Sequence, residues 1–386
     1  MSPLHVIVAL LEMAFVVFFL LNIGGIMTWV ERKEAAMIQD RIGANRASIQ
    51  FDSFPLKLIN PILAFIARLG LLHPLADGVK MFTKEYFVPD NIHKTLYHAA
   101  PFLAVMPALI TFMAVPFGPD IAIPTFTLFG FTIEGGTVPL QVIRIDGGLL
   151  YVFAFAGLGV YSAALAGWAS GNKFALLGSI RASAQMISYE ISMGLSLIGL
   201  FMIFGTIQPH ELVEGQGKLI GGLIPMWGIV VQPLAFFLFL TSAIAETKRA
   251  PFDLAEGESE IVAGYFLEYS GMNFGAFYMA EFIEVVVASA IVTTLFLGGW
   301  QIPYLQPTGF VFPWGQDLLL SPGVVTALGV AAFFTKVFFM AWFQVLLRWS
   351  LPRFRFDQVI SLGWKIMFPL ALANVLVTAI VLQIMR

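Results

Sequence analysis

The chain has 386 residues, 59% of them hydrophobic and 12% charged, with 38 Phe, no Cys and a formal net charge of −3. A mean hydropathy of +0.85 leaves too little polar surface to cover a soluble globule of this length, so the composition is that of an integral membrane protein. Without cysteine the chain holds neither a disulfide nor an iron–sulfur cluster, its five histidines are widely scattered, and its small net charge gives no reason to expect nucleic-acid binding.

Apolar runs of about twenty residues, enough to cross hydrocarbon as a helix, fall near 5–28, 99–118, 147–169, 182–205, 225–245, 276–298, 324–347 and 365–384. The expected fold is therefore all-α, a bundle of about eight transmembrane helices. The first run is read as a retained span, because no basic region precedes it and no small-residue cleavage pattern follows. Residues 51–75 are apolar but interrupted by prolines and carry Lys57 and Arg68, which predicts an amphipathic helix on the membrane or under the bundle. The connections 119–146 and 301–322 are rich in Pro and Gly, and PTFTLFGFTI in the first predicts a short hairpin.

No internal repeat or low-complexity tract divides the chain, so 1–386 reads as one polytopic domain. Of the 21 Lys and Arg, 17 lie in the alternating connections 30–98, 170–181, 246–275 and 348–365. Only Arg144, Lys218 and Arg386 lie on the opposite side, and Lys336 falls inside a span. The positive-inside rule then places the charged connections in the cytoplasm and both termini outside.

Ionisable residues within or at the edge of these spans are Glu12, Glu190, Glu246, Glu281, Glu284 and Lys336. Each ionised group costs about 2.5 to 3.5 kcal/mol on insertion scales, so such groups seldom face lipid. Glu12 fits a hydrogen-bonded packing role as well as a functional one, and Glu246 is equally the first residue of a loop. Glu190 and the pair Glu281/Glu284 point more strongly to function. The pair is three residues apart on one helical face, where repulsion favours one shared proton.

Between the fifth and sixth runs, ETKRAPFDLAEGESE concentrates five acids and two cations in fifteen residues. An acidic run is usually a solvated face. Here two cations, a proline and an aromatic ring stand directly beside the membrane, and Glu256 and Glu260 share a helical face, a composition suited to the mouth of a cavity.

These strings also carry a family likeness. ETKRAPFDLAEGESEIVAGYFLEYSG with FYMAEF, WVERKEAAMIQDRIGANR, LADGVKMFTKE and GWASGNKFALLGSIRASAQMISYE together resemble the quinone-site membrane subunit of complex I, known in bacterial NADH:quinone oxidoreductase as the H subunit. The likeness runs from the first span to the last. It implies a component of a multisubunit enzyme of the bacterial inner membrane that binds quinone as substrate. Such a component contacts peripheral-arm iron–sulfur and quinone-site subunits and other membrane-arm subunits, with NADH, FMN and iron–sulfur clusters held by those partners.

By the same likeness Arg32, Arg41 and Asp77 line or close the quinone chamber, and Asp253, Glu256, Glu258 and Glu260 border it. Glu190, Glu246 and Glu281, with Glu284, mark a proton path into the bundle, and quinone enters by the first span and residues 51–75. Gly43-Ala44-Asn45-Arg46 stands where the family carries GPNR, and a polar neutral residue is expected at position 284. Two other readings stay open. One is the membrane subunit of a related energy-converting hydrogenase or of a complex with another electron donor. The other is a stand-alone proton-coupled transporter, against which stand the missing repeat symmetry and the absence of paired broken helices.

Overall fold

A computed structural model describes residues 3–128, 131–255, 257, 261–315 and 317–385. Its helices are α1 (Pro3–Ile38), α2 (Asn60–Leu69), α3 (His73–Thr83), α4 (Lys94–Met113), α5 (Gly148–Ala156), α6 (Leu158–Ala169), α7 (Lys173–Phe204), α8 (Pro209–Gln216), α9 (Gly228–Val231), α10 (Pro233–Glu246), α11 (Gly271–Phe296), α12 (Pro322–Ser350), α13 (Phe356–Ser361) and α14 (Phe368–Met385). The fold is all-α, with seven helical segments among the described residues long and apolar enough to span a bilayer. α11 is the most buried of the seven. It packs on α4, α12 and α1, which explains how acids on it avoid lipid. Of three cores among the described residues, one lies mainly among α7, α10 and α11, a second among α1, α4, α11 and α12, and a third among α4, α6 and α11 with Tyr265 and Tyr269.

Two helices run well past their apolar runs. α1 has 36 residues, about 54 Å at 1.5 Å per residue, so its ERK segment stands on helix beyond a hydrocarbon core of about 30 Å. α7 begins within the predicted 170–181 loop because the Asn172 side chain accepts a 2.8 Å hydrogen bond from the Phe174 amide and caps the helix start.

The fifth span departs from expectation in the opposite sense. Residues 225–245 open on the strand pair Leu219–Ile220 and Ile224–Pro225, continue as one turn in α9, and break at Gln232 before Pro233. The remaining α10 has 14 residues, about 21 Å, too short to span alone. Pro233 has no amide hydrogen to continue the ladder. The broken site is filled from the last helix, where Gln232 donates to Thr378 Oγ1 at 2.7 Å and accepts from Asn374 Nδ2 at 2.9 Å.

Residues 56–83 form two short helices bent by 91°, with Leu58, Ile62, Phe65, Val79 and Phe82 exposed, in keeping with the amphipathic expectation. The bend needs Gly70. Its φ is +83°, and a Cβ there would meet the Ala44 carbonyl oxygen at 2.0 Å, so the 43–46 turn lies directly on it. Trp29 Nε1 donates to the Leu69 carbonyl at 2.8 Å and ties the same bend to α1. The predicted hairpin forms, with strands Phe126–Leu128 and Phe131–Ile133 paired antiparallel, flanked by Ile121–Ile123 with Gly136–Val138. The connection 301–322 forms a three-stranded sheet of Leu305–Gln306, Gly309–Val311 and Asp317–Leu319.

Helix α8, unanticipated from the sequence, fastens these outer connections. His210 is buried beside Trp300, its Nε2 3.4 Å from both Asp120 Oδ1 and Glu214 Oε1, while Arg144 pairs with Asp120 at 3.1 Å. Burial and then the Arg144 charge push the His210 pKa below its ordinary value, against the opposing pull of Asp120 and Glu214. The neutral ring is therefore favoured near pH 7.

Lys336 has a structural explanation. Its ammonium donates to the carbonyls of Leu297, Gly299 and Gln301 at 2.8, 2.9 and 2.7 Å and lies 4.5 Å from the Trp227 ring, so it caps the C-terminal end of α11 from inside the bundle. Lys336→Met removes the donor from three part-buried carbonyls and is expected to destabilise the protein by about 1–3 kcal/mol. Thermal unfolding of the detergent-solubilised complex measures this, and an unchanged midpoint would contradict the capping role.

Candidate functional site

The end of α1 carries a cavity of about 420 Å³ lined by Glu31, Arg32, Arg41, His73, Tyr278 and Trp349. Arg32 Nη2 contacts Asp77 Oδ2 at 2.6 Å across its edge, joining α1 to α3. Both partners are about one-third exposed or more, 41% and 34%, so the pair is wet and contributes little to stability. Arg32, Arg41 and Asp77 are thus brought together. Asp253 is not; it lies with Arg353, which donates to its backbone carbonyl and whose guanidinium is 4.0 Å from its carboxylate. Glu256, Glu258 and Glu260 lie outside the described residues.

Inward of this cavity is a buried ionic cluster. Arg249 Nη1 is 2.9 Å from Glu31 Oε2, its Nη2 is 3.9 Å from Glu281 Oε2, and its guanidinium packs 3.8 Å from the Phe282 ring. Arg348 contacts the other oxygen of Glu31 at 3.0 Å, and the Tyr265 hydroxyl donates to Glu281 at 3.3 Å. The cluster therefore links α1, the turn after α10, α11 and α12. That turn is held in place by Gln185 of α7, whose Nε2 donates to the carbonyls of Ala245 and Phe252 at 2.6 and 2.8 Å.

Beyond the cluster lies a small cavity of about 60 Å³ whose polar lining includes Thr111, Glu246, Thr247 and Glu284 among apolar neighbours such as Phe239 and Met186. One water needs about 10–15 Å³ of such space, so several fit. Glu284 Oε2 is 3.3 Å from the ammonium of Lys248. Glu281 and Glu284 thus face different cations. Glu190 reaches the same region from α7 through the break between α5 and α6, where a Cβ on Gly157 would stand 3.0 Å from its Oε1.

The sequence pointed to the acids but not to their partners. Glu31, Lys248, Arg249, Arg348 and Tyr265 complete the site. Only their position beside apolar runs signalled them, and by charge alone the cations read as ordinary positive-inside residues.

The fold and the site define a polytopic membrane protein with a charge-lined cavity and a buried ionic cluster. A family model described as NADH dehydrogenase matches residues 11–379. Relatives include an H subunit of NADH-quinone oxidoreductase from Cytophaga hutchinsonii, 42% identical over 351 residues, 91% of this chain and 90% of that protein. An H subunit of the same enzyme from Geobacter metallireducens is 41% identical over the whole of both chains, and that of Thermomicrobium roseum is 40% identical over 94% of this chain and 92% of its own. The chain belongs to the NADH dehydrogenase family of membrane subunits, the H subunits of NADH-quinone oxidoreductase.

The two glycines beside the acids separate packing from chemistry. A methyl at Gly157 meets Glu190 Oε1 at 3.0 Å and the Phe153 carbonyl at 3.4 Å, whereas at Gly159 the nearest atoms are 3.7 and 3.9 Å away. Overpacking costs about 1–3 kcal/mol, against a gain of roughly 0.5–1 kcal/mol for Gly to Ala in a helix. Gly157→Ala is accordingly expected to lower thermal stability and Gly159→Ala to keep or raise it. The reverse order in thermal unfolding would place Glu190 elsewhere.

Proposed function

We propose that this chain is the quinone-chamber membrane subunit of a proton-translocating NADH:quinone oxidoreductase in the bacterial inner membrane. The single observation that carries the reading is a series of charged groups from the open cavity at Arg32, through the Glu31–Arg249–Glu281 cluster, to the smaller cavity lined by Glu246 and Glu284. Quinone enters from the bilayer by α1 and the exposed apolar faces of α2 and α3, and its head group reaches the cavity that Arg32 and Arg41 line. NADH, FMN and iron–sulfur clusters belong to partner subunits. The peripheral arm docks on the 246–275 side, where Asp253, Glu256, Glu258 and Glu260 border the chamber, and other membrane-arm subunits cover faces within the bilayer.

The chemistry assigned to this chain is electrostatic. Reducing a quinone creates negative charge and proton demand in a low-dielectric pocket, and the strength of Coulomb interactions there makes a distant carboxylate responsive. Glu246, Glu190 and Glu281, with Glu284, then pass protonation or charge state toward the bundle. Glu→Gln keeps shape and much of the hydrogen bonding while abolishing titration. Glu246→Gln, Glu190→Gln and Glu281→Gln are each expected to leave the complex assembled and to reduce quinone turnover and proton translocation together, by tenfold or so if about 1.4 kcal/mol of transition-state stabilisation is lost. The assay is reconstituted proteoliposomes, with subunit content checked by gel; near-parental values for all three would refute the relay.

Orientation has its own test. With the charged connections in the cytoplasm, cysteines placed in this thiol-free chain at the exposed positions Ser53 and Thr308 should react with a membrane-impermeant reagent from opposite sides. Ser53 alone should label in inside-out vesicles, and labelling of both would overturn the assignment.

A further inference from the structure

Lys248 sits two residues after Glu246, in the turn that leaves α10, and is buried with 3% of its surface exposed. Its backbone is left-handed, with φ +58°, a conformation that a non-glycine side chain keeps only where the surroundings over-determine it and that clusters at functional sites. The surroundings here are the two carbonyls of the turn held by Gln185 and the contact of the Lys248 ammonium with Glu284 Oε2 at 3.3 Å.

The two oxygens of Glu284 have different neighbours. Oε2 faces Lys248, whereas Oε1 would lie 3.9 Å from a Cβ on Gly159, which lines the smaller cavity with Glu246 and Glu284 themselves. The charged groups around this carboxylate are Lys248 and Arg249 from the turn, Glu281 from α11 one helical turn away, and, acting on neighbouring Glu246, Glu190 from α7. Glu246 and Glu284 therefore share one water-sized space, with Lys248 as the cation in contact with Glu284.

We propose that Lys248 is a positioning residue for the proton path, and that Lys248 and Glu284 form a charge gate between the ionic cluster of Arg249 and the smaller cavity. The ammonium in contact favours the ionised form of Glu284 relative to a carboxyl without it. When the turn carrying Glu246 and Lys248 shifts, the ammonium withdraws and Glu284 takes a proton from cavity water, which is replenished through Glu246. Lys248 keeps its own proton throughout. Because Lys248 shares one short turn with Glu246, Arg249 and Asp253, a displacement begun at the chamber border reaches the gate along a few bonds of backbone.

The inference rests on the proposed proton path and is tested inside the assembled complex with Lys248→Met, Glu284→Gln and the double variant. Quinone turnover, protons translocated per electron and the pH profile of turnover are each measured in proteoliposomes. Lys248→Met should lower the proton-to-electron ratio and move the pH profile, because the cation that favours ionised Glu284 is gone. Glu284→Gln should remove that pH sensitivity, and the double variant should coincide with Glu284→Gln alone, giving a coupling of at least about fivefold between the two positions. Additive losses, or a pH profile untouched by Lys248→Met, would overturn the gate, since a merely structural pair shifts stability and not the profile. Should Lys248→Met fail to assemble, rescue by Glu284→Gln supports the pair and persistent failure overturns it. Failure of the gate while Glu246→Gln still abolishes pumping removes this inference alone, whereas full pumping by Glu246→Gln removes the path beneath it.

Discussion

Arg249 is the charge on which the arrangement depends. It is 6% exposed and is placed among Glu31, Glu281 and the face of Phe282, so it cannot be moved without leaving a carboxylate unpaired in a low-dielectric interior. Breaking such a pair costs about 3–5 kcal/mol, while replacing the whole set by apolar side chains is often neutral or favourable. Stability alone therefore does not account for the cluster. What it supplies is fixed geometry: α1, the turn after α10, α11 and α12 are pinned at one point, and the open and smaller cavities keep a set relation to each other.

That pin also explains where the acids are tolerated. α11 is sheathed by α1, α4 and α12, so Glu281 is buried, and Glu284 faces the cavity rather than an outer surface. They project toward a turn carrying Lys248 and Arg249 in succession, and each carboxylate meets its own cation. Two adjacent cations facing two acids three residues apart on one helix is a spatial match between a turn and a helix face.

The legibility of this in the sequence divides along the range of the forces involved. Lipid contact is written locally, so apolar runs marked seven of the eight expected spans, whereas 51–75, read as one amphipathic helix, is part of a pair of short helices bent by 91°. Helix that leaves the bilayer is not marked by hydropathy, which is why the last ten residues of α1 and the first turns of α7 read as loop. The break at Gln232 was invisible for another reason: its partners Asn374 and Thr378 lie more than a hundred residues away, and an apolar run cannot reveal that a distant polar pair will satisfy its interruption. The same holds at the site. An acid in an apolar helix stands out because it is costly, but its partner, sitting in a cation-rich connection, is one basic residue among many. Pairing is a tertiary fact.

The two cavities differ in a way that restricts what can pass between them. The open one, at about 420 Å³, is roughly sevenfold larger than the other at about 60 Å³. The smaller one has room for a few waters. Between them stand Arg249 and Phe282, a cation packed against an aromatic ring and tied to carboxylates on both sides. A ligand held in the open cavity thus acts on the smaller one only through charge, through protons on water, or through movement of the turn that carries Glu246, Lys248 and Arg249. All three routes converge on the same short segment.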